Sequence, residues 1–489
     1  MSQKYLFWPD VYKEQGHWIP TLNWAQQLYD GDGENPSHTV EYMGITDCAE
    51  IINSYPIDDS DSEARFNFET IFSNIYPKGY TTESHSSPNE RWRPDHIWAI
   101  AYSALDNLEV EYVDKLNPKL YADAVAFKNT MAKIAPDFLI SGYFTSLESL
   151  LIHKIYDIPV IISTTYLRHP SEDPAMRALQ NLKAFSRSEL YKLINLVEHK
   201  IDSLVEPDPV AEPDDDAANE DADALTTSAI KEFVDPIRHF VQALESFKEL
   251  IPCPREYEFS HYQMVGDLVK YVDPCITNEF VREKLNAEGK LTDEDGVVWI
   301  GDAQEPGILD KENLIYVTAG SQVLDYEGKA RHLFHAMCDA MSSAELSEYH
   351  LILGVGKKLV NDYEWYEFKD SPNITIAGWV PQRAILSSPK LKFALIHGGL
   401  ATIKECVYFN KPFLILPMGK DQMDNALRLR KYGINNTYQI SQVSATGLVN
   451  AIFDLDADKK SKDNLAKLSQ IFNEAENAKL GYHQILEMS

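Results

Sequence analysis

Between Gly378 and Ala426 the chain reads GWVPQRAILSSPKLKFALIHGGLATIKECVYFNKPFLILPMGKDQMDNA. FALI is a buried-strand run that breaks at His397-Gly398-Gly399, after which a helical period carries Thr402 and Glu405. A strand that passes through glycine into a helix leaves unpaired backbone N–H groups, with the positive end of the helix dipole behind them. That arrangement is a cradle for a pyrophosphate. Thr402 adds a hydroxyl in the first turn, and Glu405, one turn further, can accept two hydrogen bonds from a ribose diol. Taken singly, His-Gly-Gly is an ordinary turn, Trp379 a core residue and Asp421-Gln422 plain loop chemistry. Their order and spacing give them meaning.

The stretch resembles the donor-binding signature of the family 1 UDP-glycosyltransferases. That pattern runs W-x-P-Q, H-x-G, Ser or Thr with Glu three residues on, then D/E-Q-x-x-N. Here it reads Trp379-Val380-Pro381-Gln382, His397-Gly398-Gly399, Thr402, Glu405 and Asp421-Gln422-Met423-Asp424-Asn425. The resemblance implies that Trp379 stacks on the uracil with Val380 beside it, and that Gln382 contacts base or ribose. It places His397, Gly398 and Gly399 on the pyrophosphate, Thr402 on a phosphate oxygen, Glu405 on the ribose, and Asp421 and Gln422 on the transferred sugar. Ser321, in TAGS, matches a serine of the family that lies near the phosphates. Ala401 departs from the Asn or Gly usual there.

GHWIPTLNWAQQL, Gly16–Leu28, is similar to the family's G-H-x-x-P opening, which puts His17 in the loop after the first strand, facing the cleft. An acceptor hydroxyl is a poor nucleophile until its proton is taken, and histidine titrates in the range suited to that work. The family places an aspartate after the strand read here as PDFLIS, to steady this histidine. That position is Gly142, and Asp137 lies at the strand's other end. Three alternatives stand: that another acid serves, with Glu148 on the following helix the candidate, that His17 works alone at lower efficiency, or that the acceptor's own acidity suffices. The implied reaction is an inverting, metal-independent transfer of a hexose, glucose by the lean of Gln422, from a UDP-sugar co-substrate with no other cofactor. Trp8, Trp18, Trp92, Tyr143 and Phe144 suggest an apolar or aromatic acceptor, as in natural-product glycosylation. The alternative is a catalytically silent nucleotide-sugar binder or partner subunit, which Gly142 keeps open.

The elements that must position these residues form two α/β blocks, each alternating short apolar runs with helix-period segments. The first block has strands over Tyr5–Pro9, His38–Met43, Phe138–Ser141 and Val160–Ser163, with helices over Pro20–Tyr29 and Leu147–Tyr156. Longer helical stretches are expected over Leu179–Leu204 and Ala229–Leu250. The second block has strands at Leu314–Ser321, His350–Leu353, Ile374–Trp379, Phe393–Gly399 and Pro412–Pro417. The expected division is an acceptor domain over 1–272, a linker over 273–312, a nucleotide-sugar domain over 313–460 and a helical tail over 461–489. With the resemblance, this predicts the GT-B architecture: two Rossmann-like domains facing across a cleft, with a C-terminal helix returning toward the first.

Composition narrows the class. At 489 residues, 44% hydrophobic and 25% charged, the chain suits two globular domains. Its net charge of −30 repels nucleic acid and anionic membranes. Much of that excess lies in Glu206–Asp223, nine acidic side chains without a lysine or arginine, read as a disordered loop over about 206–225 rather than a metal site. Five cysteines without paired spacing argue against disulfides and zinc. Neither a signal sequence nor an apolar run of membrane length is evident, so a cytoplasmic protein without stable membrane insertion is expected. A nicotinamide fingerprint at Gly354-Val355-Gly356 fails, because Leu359 stands at its third glycine.

Overall fold

The computed structural model describes residues 2–33, 37–53, 66–80, 94–106, 108, 117–200, 236–264, 266–276, 308–356, 358–368, 371–378, 380 and 382–489. The acidic segment, Trp92, Trp379, Pro381 and most of the expected linker lie outside them.

The chain divides into two compact units. Unit one comprises Met1–Pro252, Met264–Val272 and Gly481–Ser489; unit two comprises Cys253–Gln263 and Asp273–Leu480. Unit one holds strands β1 (Lys4–Trp8), β2 (Thr39–Gly44), β3 (Asn67–Thr70), β4 (Phe138–Gly142), β5 (Val160–Ser163), β6 (Lys248–Ile251) and β7 (Val269–Tyr271). They form one sheet in the order β3-β2-β1-β4-β5-β6-β7, and every pairing is parallel. Its helices are α1 (Gln15–Asp30), α2 (Ala49–Asn53), α3 (Asp95–Tyr102), α4 (Pro118–Ile134), α5 (Ser146–Tyr156), α6 (Pro174–Leu182) and α7 (Arg187–His199). Parallel strands need crossover connections, and helices covering both faces explain why Leu139, Ile140, Ile161 and Ile162 are all buried.

Unit two carries β8 (Leu314–Thr318), β9 (His350–Gly354), β10 (Ile374–Ala377), β11 (Leu391–Ile396) and β12 (Phe413–Ile415), in the parallel order β10-β9-β8-β11-β12. Its helices are α8 (Glu327–Ala340), α9 (Gln382–Ser387), α10 (Leu400–Tyr408), α11 (Gln422–Lys431), α12 (Ala445–Ala457) and α13 (Lys459–Asn477). On one face Ile315, Val317, Leu351, Leu353, Phe393 and Leu395 pack with Leu333, Phe334 and Met337 of α8. Fully burying each such side chain stabilises the fold by roughly 1.5–3 kcal/mol. The last helix, α14 (Leu480–Met488), packs in unit one, where Lys248 Nζ donates to the Met488 carbonyl.

In each sheet the strand order reverses at one point, between β1 and β4 and between β8 and β11. Loops leaving the carboxyl ends of strands at such a reversal diverge and open a crevice for a ligand. The loop before His17 leaves β1, and Gly142 ends β4. Ser321 follows β8, and His397 follows β11.

Four expectations change. Helix α1 starts at Gln15, so His17 sits in its first turn rather than in a loop, and Pro20 lies inside the helix. Pro20 forfeits only the bond to the Gly16 carbonyl, while the Glu14 carbonyl holds the first turn by taking the N–H groups of both His17 and Trp18. The stretch 179–199 is two helices, because Ser186 and Glu189 form a capping box that starts α7 anew. Lys248–Ile251 is strand β6 between β5 and β7, not the end of a helix. The tail breaks between α13 and α14, where Lys479 has φ +48°. All five cysteines are buried free thiols, none in a disulfide. Among the described residues no helix is long and apolar enough to cross a membrane, and no three metal-ligating side chains are grouped.

Candidate functional site

In unit one, β1 ends at Trp8 and the chain turns at Pro9 and Asp10. The buried Asp10 carboxylate accepts from the Tyr12 N–H at 3.1 Å, and the Tyr12 carbonyl accepts from the Trp18 indole at 2.8 Å. This local turn returns the chain to the start of α1 and sets His17 against Asp10. His17 Nδ1 is hydrogen-bonded to Asp10 Oδ2. A carboxylate at Nδ1 fixes the proton there and leaves Nε2 as the basic nitrogen of the neutral ring. The His17 side chain is 24% exposed and stacks on Phe144 at 5.0 Å. Burial pushes its pKa down, but the charge and hydrogen bond of Asp10, aided by Glu14, outweigh that and raise it above 6.5.

Glu148 is not the partner of His17. It is fully buried inside α5, where Oε1 bonds His96 Nε2 at 2.7 Å, while His96 Nδ1 meets the Tyr76 hydroxyl at 2.8 Å. Gly142 has a separate reason. A Cβ built on it would lie 1.7 Å from the carbonyl oxygen of Pro9, so the loop carrying Asp10 fills the space a side chain would need. Asp137 stays at the opposite end of the sheet, accepting from the Lys4 N–H at 2.7 Å. Trp8, Trp18 and Tyr143 are buried core, and Phe144 alone of the expected acceptor aromatics that are described is half-buried. Tyr166, stacked on Phe144 at 5.5 Å, and Arg177, over its ring at 5.0 Å, are neighbours that the sequence pattern did not flag.

In unit two, Gly398 has φ +96° and Gly399 caps α10. His397, 8% exposed, is wedged between two glycines. A Cβ on Gly320 or on Gly399 would fall 2.5 Å from its ring. Among the described residues its buried Nδ1 has no hydrogen-bond partner. Burial, with Lys420 nearby, lowers its pKa to about 4, so the imidazole is neutral near pH 7. Thr402 lies in the first turn of α10 and Glu405 one turn on. Gln382 opens α9 and gathers them: its amide donates to Glu405 Oε2 at 2.6 Å and to the Thr402 hydroxyl at 3.3 Å, and its oxygen accepts from Tyr316 at 3.1 Å. Arg383 Nε, which the motif does not mark, donates to Glu405 Oε1 at 2.8 Å. Val380 is buried beside this cluster in sequence, and Ser321 is exposed directly after Gly320.

Asp421 caps α11 and accepts from the Asn425 amide at 2.9 Å; the same amide donates to the Gly398 carbonyl at 3.1 Å. Gln422 turns its oxygen to the N–H groups of Met418 and Gly419, at 2.7 and 3.1 Å. One oxygen of Gln422 thus shapes the loop. The structure brings Gln382, Thr402 and Glu405 into one cluster, and His397, Gly398, Asp421 and Gln422 into another, at the carboxyl edge of the sheet.

Residues 368–478 match the family described as UDP-glucoronosyl and UDP-glucosyl transferase. Over 101 residues the chain is 33% identical to UDP-glucuronosyltransferase 3A1 of Xenopus laevis, covering 21% of this chain and 19% of that protein. Over 99 residues it is 34% identical to UDP-glucuronosyltransferase 2B23 of Macaca fascicularis, covering 20% and 19%. The match therefore spans about a fifth of these relatives' length. The fold is similar over the whole chain to the glycosyltransferase of kitacinnamycin, with TM-score 0.58, 16% identity and coverage of 100% and 99%. It is similar also to a UDP-glucose: anthocyanidin 3-O-glucosyltransferase solved with UDP, with TM-score 0.56, 16% identity and coverage of 100% and 99%. The architecture of this chain is that of the GT-B glycosyltransferases.

Proposed function

We propose that this chain, whose residues 368–478 match the UDP-glucoronosyl and UDP-glucosyl transferase family, is a family 1 UDP-glycosyltransferase that transfers a hexose from a UDP-sugar to a hydroxyl of a small acceptor, with inversion. The observation that carries the reading is the glycine break at His397–Gly399 opening α10, with Gln382, Thr402 and Glu405 gathered one turn away. The free N–H groups of the first turn of α10 suit a diphosphate, and the Thr402 hydroxyl adds a donor. Glu405 carries the acceptor oxygens that a ribose diol needs. His397, held neutral, can donate to a phosphate without adding a second charge. Trp379 is assigned to the uracil on the motif alone, with Ser321 near the phosphates and Asp421 and Gln422 at the sugar.

His17 is the general base in this reading. Nε2 takes the acceptor proton as the acceptor oxygen attacks C1 from the face opposite the nucleotide. The C1–O bond breaks with its electron pair going to the UDP β-phosphate. Oriented N–H groups at the start of α10 stabilise that developing charge. An α-linked donor gives a β-linked product. No step calls for a metal.

Glucose is the first donor to test and glucuronate the second, given the names of the similar transferases. A half-buried Phe144 beside His17 favours an aromatic or otherwise flat acceptor. The silent-binder alternative loses its main support, since His17 has an acid at Asp10 despite Gly142. Purified protein incubated with UDP-glucose or UDP-glucuronate and an acceptor panel should release UDP only when an acceptor is present. His17→Ala should lower that rate roughly 10²–10⁴-fold. Tight UDP binding without acceptor-dependent release from any pair would sink the reading in favour of a binder.

A further inference from the structure

The oxygen that steadies His17 comes from the wrong strand for the sequence motif, and the geometry around it is specific. The motif expects an acid at position 142, after β4, yet a side chain there would collide with the Pro9 carbonyl at 1.7 Å. β1 and β4 are neighbours, with Trp8 opposite Ser141, so the two strand ends open onto the same place. Only one loop can occupy it. Here the loop after β1 does so, and it carries Asp10.

We infer that Asp10 is the positioning acid of His17, transferred from the end of β4 to the end of β1, and that Gly142 is glycine because this transfer requires the room. Three observations hold Asp10 in that role. Its carboxylate is buried, one oxygen is held by the Tyr12 N–H, and the other meets His17 Nδ1. Only seven positions separate acid from base, so loop and first helical turn build the pair within one unit, whatever the second unit binds. When Nε2 takes a proton from the acceptor, the ring becomes an imidazolium. The Asp10 carboxylate at Nδ1 stabilises it, and the proton then passes to solvent.

Other charged and titratable groups lie around the pair. Glu14 at the cap of α1 adds to the upward pull. Arg177 and Tyr166 lie against Phe144, the ring stacked on His17. Asp10 dominates because, among the described residues, it is the one bonded to the imidazole nitrogen. Its loss therefore lowers the basicity of His17, which moves the acid limb of the rate profile to lower pH while the maximum falls. A residue that merely supports the fold would not move that limb.

The inference rests on the proposed role of His17, and the experiment separates the two. Asp10→Asn, Asp10→Glu, His17→Ala and the double variant Asp10→Asn/Gly142→Asp are assayed with UDP-sugar and acceptor across pH, with UDP affinity as the check on folding. The His17 ring is titrated by NMR in parallel. Asp10→Asn is expected to lower kcat roughly 10²–10⁴-fold, with acceptor KM within about threefold and UDP affinity unchanged. The His17 midpoint and the acid limb should fall together. Asp10→Glu should recover part of kcat and most of the limb, and it carries the test if Asp10→Asn fails to fold. The double variant should gain nothing. Loss in His17→Ala with a near-normal rate and unmoved limb in the Asp10 variants overturns this inference alone. Recovery by Gly142→Asp overturns it too. Retained turnover in His17→Ala overturns the base assignment, and Asp10's role with it.

Discussion

The side-chain amide of Asn425 donates to the Gly398 carbonyl at 3.1 Å, tying helix α11 to the loop that enters α10. The same residue bonds Asp421 at 2.9 Å, accepts from Arg428 at 3.1 Å through its amide oxygen, and takes the Tyr257 hydroxyl on its backbone carbonyl at 2.9 Å. Arg428 is in turn paired with the buried Glu258. The carbonyl of Gly398 must point away from the cradle for the following N–H groups to point into it, and Asn425 holds it there. Asn425→Ala leaves buried polar groups on both sides unsatisfied, each costing about 1–3 kcal/mol. Denaturant unfolding should report a loss of about 2–4 kcal/mol. UDP affinity measured calorimetrically should fall as well; a variant with normal UDP affinity would show that the bond is structural only.

Gly320 supplies a second test of the cradle. It sits at φ +79°, and a Cβ there would press on His397 at 2.5 Å. Gly320→Ala therefore combines about 1–2 kcal/mol of left-handed backbone strain with displacement of the imidazole. UDP affinity should drop at least tenfold, because the ring has no room to retreat between Gly320 and Gly399. Gly328→Ala, where a Cβ meets nothing within 4 Å, is the control and should bind UDP normally.

These relationships divide into those legible in the sequence and those not. The strands expected at Leu314–Ser321 and Phe393–Gly399, observed as Leu314–Thr318 and Leu391–Ile396, were legible in kind though not in bounds, because strands buried on both faces must be nearly all apolar. Gly398 was legible because a strand turning into a helix needs its positive φ. Lys248–Ile251 was hidden, since four residues after a helical period carry no signal of their own, and the pairing with β5 and β7 decides them. Edge strands β3 and β7 are too short to mark themselves. Asp10 was hidden for another reason. Its meeting with His17 depends on a turn made by the Tyr12 N–H and on the space above Gly142, neither of which is a pattern along the chain. The Asp-x-Tyr turn beside a histidine seven residues on was the available clue.

His397 predicts a pH effect on stability. Its folded pKa, about 4, lies below the ordinary 6.5, so between these values the unfolded chain binds the extra proton. Stability then rises with pH. The contribution is fully present above 6.5 and is lost as pH falls toward 4, and the shift corresponds to on the order of 3 kcal/mol. Urea midpoints for unit two should decline across that window. His397→Asn should flatten the decline; an equally steep decline in the variant would assign it to other groups.

Glu148 separates a structural carboxyl from a catalytic one. It is fully buried, bonds His96 at 2.7 Å, and lies two links from the Tyr76 hydroxyl. None of these groups touches His17. Removing one partner of a buried polar pair strands the other, so Glu148→Ala should cost about 3–5 kcal/mol by chemical denaturation. Glu148→Gln, which keeps volume and one acceptor, should cost less. Both variants, assayed per folded molecule well below their melting temperatures, should keep the acid limb of the rate profile where the unaltered protein has it. The contrast with Asp10 is then one of kind: one carboxyl changes how much protein is folded, the other changes the pH at which His17 can take a proton. A displaced limb in Glu148→Gln would mean that the buried His96 pair reaches the reacting centre after all.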